Sequence, residues 1–154
     1  MKAFKFFAML LAAFTFSFGF VSCGDDDDED ITGGGGSNNG IQVTSGISEL
    51  KDTGSEISYS FWETAANIKT TTTMTYGYSP ASGLITSVKI TYECNSSKAL
   101  DALYNELVAD GQNPSKSGSK VTCVLNPEDY EDMTVEDVKL AYQIMKDKYD
   151  NRNK

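Results

Sequence analysis

The chain has 154 residues, of which 40% are hydrophobic and 23% are charged, and this composition suits one globular domain. Its 22 acidic residues outnumber its 13 basic residues, and the net charge of −9 argues against nucleic-acid binding, because phosphate binding needs a patch of lysine and arginine. The chain has no histidine, so it lacks the usual general base and the commonest metal ligand, and we expect no metal or other cofactor.

The N-terminus has the pattern of an export signal. Lys2 and Lys5 supply positive charge, and residues 6–20 are uncharged and mostly apolar. This run is shorter than the about 20 residues that a membrane-spanning helix needs. We therefore predict a signal peptide over residues 1–22 that is removed from the mature chain, with a retained helical anchor as the alternative.

Residues 20–23, Phe-Val-Ser-Cys, resemble a bacterial lipobox, although Phe20 stands where Leu is most often found. The resemblance implies cleavage directly before Cys23 and attachment of diacylglycerol and a further acyl chain to this residue. Two acyl chains are enough for stable membrane anchoring. Cys23 would thus anchor the mature protein without a transmembrane helix.

Six acidic residues, 25–30, almost directly follow the lipobox cysteine. A run of this kind is similar to the surface-export signal of Bacteroidetes lipoproteins, which implies display on the outer face of the outer membrane. A lipoprotein that faces the periplasm is the alternative. A calcium site is less favoured, because the run lacks the spacing and the glycine turn of a calcium loop. Four glycines follow at 33–36, so we predict that residues 23–40 form a tether.

We predict a single small α+β domain over residues 41–154. Three segments alternate apolar and polar residues with the period of a β-strand, namely 56–62, 68–78 and 85–94. Residues 79–83, Ser-Pro-Ala-Ser-Gly, suit a hairpin connection between the last two. A fourth strand is predicted over residues 119–125.

Two segments have the period of an amphipathic helix. The first covers residues 97–110, with Gly111 just past its end. The second begins at Thr134, whose hydroxyl can cap the helix while Asp137 completes a capping box. The predicted order is β-β-β-α-β-α, a four-stranded, mainly antiparallel sheet with both helices packed on one face.

A Thr-rich hairpin, a helix, a short strand and then DYEDMTVEDVKLAYQIM, residues 129–145, follow one another along the domain. This order resembles that of small uncharacterised Bacteroidetes surface lipoproteins over about residues 55–150. The resemblance implies a fold and a location. It implies no reaction.

Cys94 and Cys123 are both predicted to point into the core, and an exported protein lies where disulfides can form. They would be near enough to form a disulfide if the third and fourth strands were parallel. Antiparallel strands would instead place them towards opposite ends. The alternative is two buried free thiols that pack as small apolar groups.

A catalytic site is not expected. Without histidine, a serine or cysteine nucleophile lacks its usual partner, so a pair of carboxylates is the remaining acid–base option. Glu93 and Glu106 are candidates, but their spacing does not place them together. Four further acids precede the last helix, where such side chains are usually solvated: Glu128, Asp129, Glu131 and Asp132.

Trp62 falls on the face opposite to Ile57, Tyr59 and Phe61, where it could stack on a sugar ring or anchor a protein partner. The alternative is that it ends the strand and packs under the loop to Ile68. We therefore expect a membrane-anchored, non-catalytic binding or interaction module with a glycan or protein ligand. A periplasm-facing structural or envelope-maintenance lipoprotein and a carboxylate-dependent hydrolase are the alternatives.

Overall fold

The computed structural model of the protein describes residues 43–152. The predicted signal peptide 1–22, the lipid attachment at Cys23, the acidic run and the tether up to residue 40 lie outside the described residues. Between residues 43 and 152, no helix is both long enough and apolar enough to cross a membrane.

Seven strands, two α-helices and one short 3-10 helix are present in residues 43–152. They are, in order, β1 (Thr44–Ile47), β2 (Lys51–Asp52), β3 (Glu56–Ala65), β4 (Ile68–Tyr78), β5 (Ile85–Cys94), α1 (Ser97–Ala109), β6 (Ser115–Ser117), β7 (Lys120–Val124), the 3-10 helix (Pro127–Asp129) and α2 (Val135–Arg152). The strands form one antiparallel sheet in the order β1-β3-β4-β5-β7-β6, and β2 also pairs with β3.

The predicted α+β class is confirmed, whereas the predicted number and order of strands are wrong. The sheet has seven strands instead of four, and the order is β-β-β-β-β-α-β-β-α. The four predicted strands correspond to β3, β4, β5 and β7. The other three, β1, β2 and β6, have only 4, 2 and 3 residues, too few to show an alternation of period two. They pair along the outer strands, so most of their side chains need not be apolar.

The core lies on one side of this sheet. Alternate residues of the four long strands share that side in register, as in the row of Tyr59, Met74, Ile90 and Cys123. Both helices cover the same side with their apolar stripes, which consist of Ala99, Leu100, Leu103 and Leu107 in α1 and Val138, Tyr142, Met145 and Tyr149 in α2. Each Leu, Val or Met side chain of these stripes contributes about 1.5–3 kcal/mol when it is fully buried. The opposite side of the sheet is consequently left without a helix in the described part of the chain.

Local hydrogen bonds mark where the helices begin and where α1 ends. Ser96 caps α1, because its Oγ accepts a hydrogen bond from Ala99 N at 3.3 Å. Gly111 follows α1 with a φ of 79° and donates to the carbonyl of Val108. Asp137 Oδ2 accepts from the Thr134 backbone N at 2.8 Å, and Thr134 Oγ1 accepts from Asp137 N at 3.3 Å, which confirms the predicted capping box.

The two cysteines considered for a disulfide, Cys94 and Cys123, are free thiols in the structure. Because β5 and β7 are antiparallel, Cys123 pairs with Ile90 and lies four residues along the strand from Cys94. Four residues of an extended strand span about 13 Å, well beyond the Cα separation that a disulfide allows. Both thiols are buried and pack with the core, as in the alternative prediction.

Candidate functional site

The uncovered side of the sheet, which we call the open face, carries rows of small hydroxyl-bearing side chains. These are Ser58 and Ser60 of β3, Thr71, Thr73 and Thr75 of β4, Thr91 of β5 and Thr122 of β7. Hydroxyl groups of paired residues on neighbouring strands can form hydrogen bonds, as Ser60 Oγ and Thr73 Oγ1 do at 2.9 Å. The open face is therefore a surface rich in hydrogen-bond donors and acceptors.

Trp62 lies on the open face, paired with Gly46 of β1 on one side and with Thr71 of β4 on the other. A Cβ atom added to Gly46 would overlap the six-membered part of the indole, so the ring lies directly above the Gly46 backbone. The side chain remains 36% exposed. Because β3 continues to Ala65, Trp62 does not end the strand beneath the following loop.

A depression of about 360 Å³ lies on the open face, one strand away from Trp62. Its lining residues come from β4, from the end of β5 and from the turn before β7: Lys69, Thr71, Glu93, Cys94, Asn95 and Ser119. Thr71 pairs directly with Trp62, and Lys69 is the diagonal neighbour. The antiparallel register thus places an aromatic ring, an ammonium group, a carboxylate and hydroxyls within one small area.

The rim of the depression is held by the tight turn between β3 and β4. Ala66 and Asn67 form this two-residue turn with φ values of 49° and 66°. Asn95 binds the turn and the start of β4, because its Nδ2 donates to Asn67 O at 2.9 Å and its Oδ1 accepts from Lys69 N at 2.9 Å. The turn residues are Ala-Asn and not the Asn-Gly that is typical of such turns, so the sequence does not predict the position of this turn.

Cys94 lines the depression, and its thiol is buried on the core side of the sheet. Its Sγ accepts a hydrogen bond from Thr70 Oγ1 at 3.7 Å and another from Ser96 N at 3.4 Å. The thiol of Cys123 instead donates to Gln112 Oε1 at 3.6 Å, and burial, with a smaller effect from the charge of Asp129, raises the pKa of Cys123. A raised pKa keeps a thiol protonated and unreactive at neutral pH, so Cys123 is suited to packing.

The candidate catalytic carboxylates are not brought together. Glu93 lies on the open face, whereas Glu106 lies on α1, on the other side of the sheet. Asp129 accepts a hydrogen bond from Asn126 N at 3.2 Å and thereby caps the 3-10 helix, while the neighbouring acids at 128, 131 and 132 are exposed. Within residues 43–152, no three Cys, Asp or Glu side chains are grouped so that they could hold a metal ion.

Sequence analysis singled out Trp62, and it named Glu93 and Cys94 for other roles, but it did not predict that these residues lie close together. Gly46 lies in a strand of four residues, and the residues that line the depression lie on two strands and two connections. The sequence signal for this surface is the alternation of polar and apolar residues in β4 and β5. This alternation predicts that one side of the sheet faces solvent, but it does not indicate a binding site there. Comparisons of the chain with protein-family models, with curated proteins and with solved structures find no match.

Proposed function

We propose that the protein is a lipoprotein anchored in the outer membrane through lipid on Cys23 and displayed at the cell surface. Its domain acts as a non-catalytic binding module, and the open face contacts the ligand. The observation that carries this proposal is the position of Trp62: its partly exposed ring lies over Gly46, one strand away from a polar depression, on a sheet face that no described helix covers.

The position of the indole supports a binding role. A large exposed aromatic side chain would gain stability by packing into a core, and instead Trp62 is held on the surface by contact with the Gly46 backbone. A ring that is already held in place loses little conformational freedom when a ligand stacks on it. The adjacent hydroxyl groups can then exchange hydrogen bonds with a polar ligand instead of with water.

The binding role can be tested by electrophoresis of the full mature chain through gels that contain soluble polysaccharides, with neutral and acidic polymers compared. We expect retardation of the wild type and loss of retardation in Trp62→Ala. Leu140→Ala, which removes a 61% exposed apolar side chain from α2 on the other side of the sheet, serves as the matched control. Equal retardation of both variants, or none of the wild type in any polymer, would refute the proposal.

The location is tested separately on intact cells. We expect added protease to cleave the wild type, and a variant with residues 25–30 replaced by Ser and Gly to be protected. Protection of both proteins until the outer membrane is opened would refute surface display and favour a periplasmic role.

A further inference from the structure

Charge is unevenly divided between the two sides of the sheet. Acidic residues outnumber basic residues in the chain, 22 to 13, yet lysines outnumber carboxylates on the open face. The side chains concerned are Lys51, Lys69, Lys89 and Lys120, against Glu56 and Glu93. The open face is thus locally cationic in an acidic protein.

The lysines of the open face are also less neutralised than those on the helix side. Lys51, Lys69 and Lys89 form no ion pair with any residue in 43–152, and only Lys120 pairs, with Glu93 at 3.8 Å. On the helix side, by contrast, the paired lysines are Lys116 with Asp101, Lys139 with Asp52 and Glu136, and Lys146 with Glu49. Three ammonium groups on the open face are therefore available to an anion.

The available charge lies next to the aromatic ring. Lys69 is one strand across and two residues along from Trp62, so their Cα atoms are about 8 Å apart. Lys120 lies in the same row as Trp62, three strands away, at about 15 Å. A ligand that stacks on Trp62 and crosses the depression would therefore reach Lys69 first and Lys120 next.

We propose, on the basis of the binding role above, that the ligand of the open face is an anionic polysaccharide. One sugar ring stacks on Trp62, and the acidic group of that sugar or of its neighbour binds Lys69. The charge of Glu93 is balanced by Lys120, and its carboxylate accepts hydrogen bonds from sugar hydroxyls.

The composition of the open face favours a polysaccharide over a membrane or a protein. Trp62 and Val124 are the large apolar side chains that the described strands expose there. Binding at a membrane surface needs a broader apolar face, and a stable protein interface needs an apolar centre. Hydroxyl rows with a single aromatic ring instead match a ligand that presents hydroxyl groups along its whole length.

Because Trp62 is the one tryptophan in the sequence, its fluorescence reports occupancy of the site directly. The full mature chain in detergent is titrated with polygalacturonate, a linear polymer of a sugar carboxylate, and with its methyl ester, which keeps the rings and removes the charge. We expect polygalacturonate to change the Trp62 emission, with binding weakened by salt, and the ester to bind about tenfold more weakly, since a hydrogen bond to a charged group contributes about 1.5–3 kcal/mol.

Two variants that remove one positive charge each complete the test. Lys69→Gln should weaken polygalacturonate binding about tenfold. Lys139→Gln should leave polygalacturonate binding unchanged, because Lys139 lies on the helix side of the sheet. Its exposed ion pairs contribute little to stability, so the variant should fold. Urea unfolding followed by circular dichroism establishes that both variants fold.

The outcomes separate this proposal from the binding role itself. Equal affinity for acid and ester, or equal effects of the two lysine variants, would overturn the anionic ligand. Because Trp62→Ala lacks the fluorophore, its binding is followed by retardation in gels that contain each polymer, and loss of retardation by both polymers would leave the binding role standing. A response to vesicles of anionic phospholipid without a response to polygalacturonate would overturn the polysaccharide and indicate a membrane contact. No response of Trp62 to either polymer or to the vesicles would overturn both proposals.

Discussion

The contact between Trp62 and Gly46 can be tested by adding a single methyl group, with Gly46→Ala. The new Cβ would lie 2.6 and 2.7 Å from two ring atoms of Trp62 and closer still to a third, whereas carbon atoms in contact are normally about 3.5–4.0 Å apart. The indole therefore has to move by about an ångström or more. It would leave its place above the edge strand and become more exposed to solvent.

The expected change in stability combines two opposing effects. Displacing a packed side chain costs about 1–3 kcal/mol. Replacing glycine by alanine inside a strand restricts the unfolded chain and stabilises by about 0.5–1 kcal/mol. Gly46→Ala should thus lower the free energy of unfolding by about 0.5–2 kcal/mol in the wild type. In a Trp62→Ala background the clash is absent, and the same substitution should stabilise.

Urea unfolding followed by circular dichroism, applied to the wild type, both single variants and the double variant, measures this coupling. Acrylamide quenching of Trp62 in the Gly46→Ala variant should increase in parallel, and its emission should move to longer wavelength. If Gly46→Ala has the same effect on stability with and without Trp62, and quenching is unchanged, the ring does not lie over Gly46 and our description of the site is wrong.

Three further predictions concern the rest of the domain. Ala66→Gly should raise the free energy of unfolding by about 1 kcal/mol, because Ala66 has a φ of 49°, whereas Ala65→Gly in the adjacent strand should lower it. Thr134→Ala removes the cap of α2 and should cost about 1 kcal/mol in urea unfolding; an unchanged midpoint would contradict the capping role. Burial raises the pKa of Tyr59 from 10.0 to about 12, so the folded chain keeps a proton that the unfolded chain loses. Stability should fall as pH rises through this interval, and Tyr59→Phe should show a smaller fall in urea midpoint; an identical fall would refute the assignment.

Sequence alone determined the features that depend on neighbours along the chain. The alternation in residues 56–62, 68–78 and 85–94 predicts which side chains face the core, since a strand alternates its side chains whatever it pairs with. The helical period and the capping residues Gly111 and Thr134 likewise act within one or two turns. These elements, and with them the α+β class, could therefore be predicted.

Tertiary structure alone decided what depends on pairing between distant segments. β1 and β6 are strands because β3 and β7 offer them unpaired backbone groups, and four or three residues carry no periodic signal of their own. The direction of β7 beside β5 separates Cys94 from Cys123, and the register of β1 against β3 sets Gly46 beneath Trp62. The candidate site arises in the same way, because residues that are widely spaced along the chain become neighbours only when five strands align.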